Sequence, residues 1–175
     1  MIISGTYGLA LFLSKHFDNA KFYSVYRLLD ESEYLEKLES NILINCEHHK
    51  FKQVELLDLY FNKWRNIKNK YIINISSRAA QPNISKGYLY ASQKAALNHY
   101  TNNIVYNSDK VCRVTTLNLG LMKHKTLPSI SYQDVADTIE WLIDSDLDIP
   151  DMTVQHPANY GQVQHAKSLN KSSKK

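Results

Sequence analysis

Short apolar runs with strand character alternate with longer segments of helical periodicity along almost the whole chain. The strand-like runs are "MIISG" from Met1, "KFYSVYR" from Lys21, "NILINC" from Asn41, "YIINIS" from Tyr71, "VCRVTTLNL" from Val111 and "DMTVQHP" from Asp151. Between them lie "LALFLSKHF" (9–17), "DESEYLEKLES" (30–40), "QVELLDLYFNKWRNIK" (53–68), a periodic stretch over 88–106 and "SYQDVADTIEWLID" (131–144). The last opens on a serine ahead of an acidic first turn, a helix start signal, and continues as an apolar stripe through Val135, Ile139 and Leu142. Strands joined by helices pair in parallel through right-handed crossovers, and both sheet faces are covered. The pattern therefore predicts an α/β fold: a doubly wound parallel sheet of about six strands. In such a sheet ligands bind beyond the carboxyl ends of the strands. The ends of "MIISG", "NILINC", "YIINISS" and "TTLNLG" are expected to meet around one crevice.

The length of 175 residues suits one domain, assigned here to residues 1–160. Charged residues at 22% and hydrophobic residues at 43% are ordinary for a soluble globular protein. Of the net charge of +4, much comes from the end of the chain, so residues 161–175 read as a basic, disordered tail. A nucleic-acid partner would need a basic stripe on the folded body, and the sequence has none. Two cysteines, Cys46 and Cys112, do not make a disulfide framework and suit a reducing, cytoplasmic setting. No apolar run approaches a membrane span, and Met1 leads into a strand rather than a leader peptide. The adjacent His48 and His49 lack a third ligand at metal-site spacing, so no metal is expected.

One tyrosine stands apart from the other eleven. Tyr90 and Lys94 lie four residues apart on a predicted helix, and hence on one face. Tyr106 and Lys110 have the same spacing and serve as an internal control. Tyr90 starts its helix near the expected crevice, whereas Tyr106 is near the far end. Ser77 closes the strand "YIINISS" on the rim, thirteen residues before Tyr90; at that distance from Tyr106 stands Gln93.

Four segments in order resemble the short-chain dehydrogenase/reductase family: "SGTYGLA" after the first strand, "LINC" after the middle one, "NISS…YASQK", and "LNLG" late in the chain. The likeness runs from Ile2 to about Pro157 and implies a Rossmann-like fold. It also implies an NADP- or NAD-dependent oxidoreductase reducing a carbonyl, or oxidising an alcohol, by hydride transfer. Its catalytic residues would be Ser77, Tyr90 and Lys94. Tyr90 would donate the proton. The Lys94 ammonium would favour negative charge on the phenol oxygen and hold the nicotinamide ribose, and Ser77 would orient the carbonyl. The cofactor would rest on Gly5, Thr6, Tyr7, Gly8 and Leu9, with backbone N–H groups and a helix N-terminus facing the pyrophosphate. Asn45, Cys46, Gly120 and Leu121 would complete its site. Arg27, read as the end of the second strand with no acid on that rim, favours the 2′-phosphate of NADP over NAD.

The resemblance has gaps. Only the 14 residues 28–41 separate the second strand from "NILINC", so one strand–helix unit is deleted relative to the family. The turn "NCEH" replaces the family's "NNAG", which puts bulk at Glu47 and His48 where the family's backbone approaches the cofactor. The family's fourth catalytic position, an asparagine, falls near His49 and is unmatched. "LG" (119–120) replaces "PG", and the substrate lid is short. These departures leave a second reading open: a catalytically impaired nucleotide- or protein-binding module on the same fold. In either case the family's habit of pairing two long helices, here 53–68 and 88–107, implies a homodimer or homotetramer.

Overall fold

The computed structural model describes residues 1–30, 40–81 and 87–158. The tail and most of the predicted helix over 30–40 lie outside the described residues. Six strands form one sheet: β1 (Ile2–Ser4), β2 (Lys21–Tyr23), β3 (Ile42–Asn45), β4 (Tyr71–Ser77), β5 (Arg113–Leu119) and β6 (Asp151–Val154). Their order is β2-β1-β3-β4-β5-β6, and every pairing is parallel. The expected Rossmann-like doubly wound architecture with six strands is therefore observed. The order reverses between β1 and β3, which creates the switch point at which such sheets carry their ligand crevice.

Register explains why the strand runs are apolar throughout. Ile2, Leu43, Ile72 and Val114 stand side by side across the sheet and enter one core, together with Val25, Leu56, Leu57 and Leu97. One residue on, Ile3, Ile44 and Ile73 enter the opposite core against Leu9, Leu13, Val135, Ile139 and Leu142. A period of two places successive residues on opposite faces, and helices cover both. The first core is covered by α2 (Val25–Asp30), α3 (Lys52–Trp64) and α4 (Tyr88–Asn107). The second is covered by α1 (Gly8–His16) and α5 (Tyr132–Asp144). The start of α5 is the one expected: Ser131 and Asp134 form a reciprocal capping box.

One boundary differs from expectation. "KFYSVYR" is not a strand through Arg27. β2 stops at Tyr23 and the chain turns into α2, which contains Arg27. Two contacts favour the turn: Ser24 Oγ accepts the Arg27 N–H at 3.3 Å as a local N-cap, and the Glu47 carboxylate accepts the Val25 N–H at 2.6 Å. That acceptor satisfies a backbone donor at the start of α2 and favours the turn into helix. No described helix is long and apolar enough to cross a membrane.

Candidate active site

The carboxyl ends of β1, β3 and β4 are tied together by buried polar side chains. Ser4 Oγ accepts the N–H groups of Cys46 (2.8 Å) and Glu47 (3.1 Å), which pins the turn after β3 against the end of β1. Asn45 is completely buried, and its amide nitrogen donates to the Gln53 carbonyl (2.8 Å) and to Asn74 Oδ1 (3.0 Å). Asn45 thus braces the strand ends from inside. Its side-chain amide is spent in the fold. Cys46 has its thiol enclosed, and burial pushes the thiol up to about 12, so it stays protonated.

Lys94 is the most constrained of the predicted catalytic residues. It is only 3% exposed, although an unpaired lysine is almost never buried. Its ammonium donates to Gln53 Oε1 at 2.6 Å and to the Ile75 carbonyl at 2.8 Å. Loss of water lowers its pKa to about 8. The ammonium lies 5.9 Å from the centre of the Tyr90 ring. Tyr90, one turn earlier, is open to solvent on one side, and the His48 imidazole meets its ring edge-on at 4.7 Å between centroids. Tyr106 is 71% exposed at the other end of α4, and its Lys110 pairs with the Asp148 carboxylate at 3.3 Å, which separates the two pairs. Ser77 is the last residue of β4; its hydroxyl accepts the Ala79 N–H at 3.1 Å and caps the short 3-10 turn Arg78–Ala80.

The two histidines point apart, as adjacent loop residues should: His48 to Tyr90 and His49 to Tyr26. His48 is half-buried, and burial together with the Lys94 charge lowers its pKa, against hydrogen bonds to Gln93 and Gln53 that raise it. His48 is therefore neutral at pH 7. Gln53 is the residue that sequence reasoning missed. It is 2% exposed and donates through Nε2 to the Asn45 carbonyl (2.9 Å) and the Ile75 carbonyl (3.1 Å). A glutamine in the first turn of an amphipathic helix gives no signal of its own; only the meeting of β3, β4, α3 and α4 gives it a task.

The turn between β1 and α1 carries two glycines in the left-handed half of backbone space, Gly5 at φ 117° and Gly8 at φ 58°. A side chain at Gly5 would come within 2.7 Å of the Ala10 Cβ and 3.3 Å of the Glu47 Cβ. This close packing of turn, helix and neighbouring loop requires glycine. It also fixes Ala10 as the small residue facing the turn. The N-terminus of α1, after Thr6 and Tyr7 and beginning with Gly8 and Leu9, has no acidic residue in its first turn and no side-chain cap, which suits a negatively charged group.

Two residues expected to touch the cofactor also have partners within the fold. The Gly120 N–H donates to the Val154 carbonyl at 2.8 Å, and a Cβ on Gly120 would strike the Gln155 Cβ at 2.8 Å. Packing against the exit of β6 already demands glycine there; Leu121 beside it is exposed. Arg27 lies inside α2, with its guanidinium 5.3 Å from the centre of the Tyr23 ring. The rim at the end of β2 does hold an acid, contrary to the sequence expectation, because Glu47 reaches it from the turn after β3.

No protein-family model matches the chain, and no curated protein matches it significantly by sequence. Solved structures do. Serine dehydrogenase from Escherichia coli superposes with a TM-score of 0.70 at 16% identity, covering 90% of this chain and 98% of that one. A closed form of serine dehydrogenase complexed with NADP+ gives 0.68 at 15%, covering 90% and 84%. A short-chain dehydrogenase from Streptomyces avermitilis gives 0.64 at 15%, covering 98% and 84%. The chain has the short-chain dehydrogenase fold. Within that fold, Ser77 ends β4, Lys94 donates to the carbonyl of Ile75 on the same strand, and Tyr90 precedes Lys94 by one turn of α4. At these identities the likeness carries the fold, and the chemistry has to be argued from the residues.

Proposed function

We propose that the chain is an NADP-dependent oxidoreductase of the short-chain dehydrogenase type, reducing a small carbonyl compound or oxidising the corresponding alcohol. The observation that carries this reading is the buried Lys94 ammonium, held at the carboxyl half of β4 and 5.9 Å from the centre of the half-exposed Tyr90 ring. A buried cation next to a half-open phenol costs stability, and a fold retains such an arrangement for chemistry more readily than for packing.

The cofactor site fits at its phosphate end. Gly5, Thr6, Tyr7, Gly8 and Leu9 form a glycine turn leading into a helix N-terminus without an acid, which suits a pyrophosphate. Arg27, one turn into α2, would meet a 2′-phosphate. When bound, the nicotinamide supplies or accepts the hydride at the carbonyl carbon. Tyr90 Oη gives its proton to the carbonyl oxygen in the reducing direction and takes it back in the other. Lys94 stabilises the charge left on that oxygen, and Ser77 donates to the carbonyl oxygen and holds it toward Tyr90. The short segment after Leu121 folds back by a bridge between Met122 and Ile130, so substrate would meet an open mouth. The two free cysteines, Cys46 and Cys112, accord with a reducing cytoplasm. A homodimer or homotetramer through α3 and α4 belongs to the same reading, and light scattering tests it.

The test is oxidation of NADPH with a panel of aldehydes and ketones. Tyr90→Phe is expected to lower turnover by roughly 10²–10⁴-fold while the fluorescence titration with NADPH is unchanged. Equal turnover in the variant would refute the assignment. A second reading, a catalytically impaired module on the same fold, is favoured by His48 against Tyr90 and by Glu47 beside Gly5. It predicts no oxidation with any carbonyl in the panel.

A further inference from the structure

We propose that Gln53 is a positioning residue for Lys94: its side-chain oxygen holds the ammonium in the floor of the crevice and leaves one N–H directed at the bound ligand. This deepens the oxidoreductase reading, because the group being positioned is that reading's cation. The orientation of the amide is dictated by its surroundings. Nε2 faces two acceptors, the carbonyls of Asn45 and Ile75, so Oε1 is the end that meets Lys94. A flipped amide would aim its oxygen at two carbonyl oxygens and its NH2 at an ammonium, losing three hydrogen bonds. Gln53 is thus held at both strand ends. Its own backbone carbonyl is held as well, by the Asn45 amide.

An ammonium has three N–H donors. Gln53 Oε1 takes one and the Ile75 carbonyl another. The geometry of the two acceptors anchors Nζ from the β4 and α3 sides. Gln53 is neutral, and so are the other groups that face the lysine. The Cys46 thiol is held protonated by burial, His48 is held uncharged, and Tyr90 offers its ring; the Glu47 carboxylate is turned to the Val25 N–H. No carboxylate cancels the charge among the described residues around it. The uncompensated cation is therefore available to an oxygen carrying developing negative charge. An acidic residue in place of Gln53 would hold Lys94 equally well and neutralise it.

The experiment follows the Lys94 Cε–Nζ resonance by NMR in the full chain with labelled lysine, assigned by its loss in Lys94→Arg. The wild-type resonance is expected to titrate near 8. Gln53→Glu places a carboxylate on the ammonium and should raise the midpoint by about 1–3 pH units. Gln53→Leu removes the acceptor and should lower it. If Gln53→Leu does not fold, Gln53→Asn, too short to reach Nζ, carries the same predicted fall. Shifts of opposite sign support the proposal. Shifts of one sign, or none, in folded variants overturn it and leave Gln53 a scaffold residue. NADPH oxidation is measured alongside. Opposite shifts without any turnover would uphold the positioning role and refute the oxidoreductase reading. Turnover with a Lys94 midpoint indifferent to both substitutions would do the reverse.

Discussion

Burial of Lys94 makes stability depend on pH in a direction opposite to that of a salt-bridged lysine or histidine, whose pKa is raised on folding. Its proton affinity falls from an ordinary 10.5 to about 8 in the folded chain, chiefly through loss of water. Below pH 8 the folded and unfolded states both hold the proton, and folding carries the full cost of a buried cation. Between 8 and 10.5 the folded state releases the proton first, so the unfolded state binds more protons and stability rises with pH. Above 10.5 both are neutral. At about 1.4 kcal/mol per pH unit, the rise is about 3 kcal/mol. The perturbation that isolates it is Lys94→Met. Tyr60, whose hydroxyl burial pushes up to about 12, lowers stability at alkaline pH in both proteins and cancels in the difference. Cys46 interacts with Lys94 directly, so both proteins carry Cys46→Ala. The assay is urea unfolding followed by circular dichroism from pH 6.5 to 11. The stability of the lysine protein relative to the methionine one should climb by about 3 kcal/mol across the window. A constant offset remains from the Gln53 oxygen left without its donor, on the order of 1–3 kcal/mol. A difference flat to within about 0.5 kcal/mol would refute a desolvated Lys94.

Three further outcomes follow from the packing. Leu43→Ala, at a fully buried position in the middle of the sheet, should cost about 2–5 kcal/mol in urea unfolding; a loss below about 1 kcal/mol would contradict the core described. Gly5→Ala should cost at least about 1–3 kcal/mol from its backbone angle, plus the clash with Ala10, and the melting temperature should drop accordingly. Glu47→Gln removes a negative charge from the rim at the end of β2, so NADPH should gain affinity relative to NADH in paired fluorescence titrations. An unchanged ratio would show that Glu47 does not face the 2′ position.

The local sequence determined much of the fold. Apolar strand runs separated by helical periods specify a parallel sheet covered on both faces, because burial on both sides requires continuous hydrophobicity and parallel strands require crossovers. Ser131 and Asp134 announce the start of α5 because a capping box is made within four residues. The Tyr90/Lys94 pair is legible for the same reason, since one helical turn sets its geometry. What the tertiary structure alone decided depends on contacts between residues distant in sequence. The acceptor for the first N–H of α2 is Glu47, 22 residues beyond Val25. Gly120 is required by Gln155, which reaches it only through the pairing of β5 with β6. Lys94 changes from a surface lysine into a desolvated cation because Gln53, 41 residues earlier, meets it where two strand ends and two helices converge. Propensity and periodicity act over one or two turns of chain, whereas desolvation and hydrogen-bond partners depend on which segments the fold brings together.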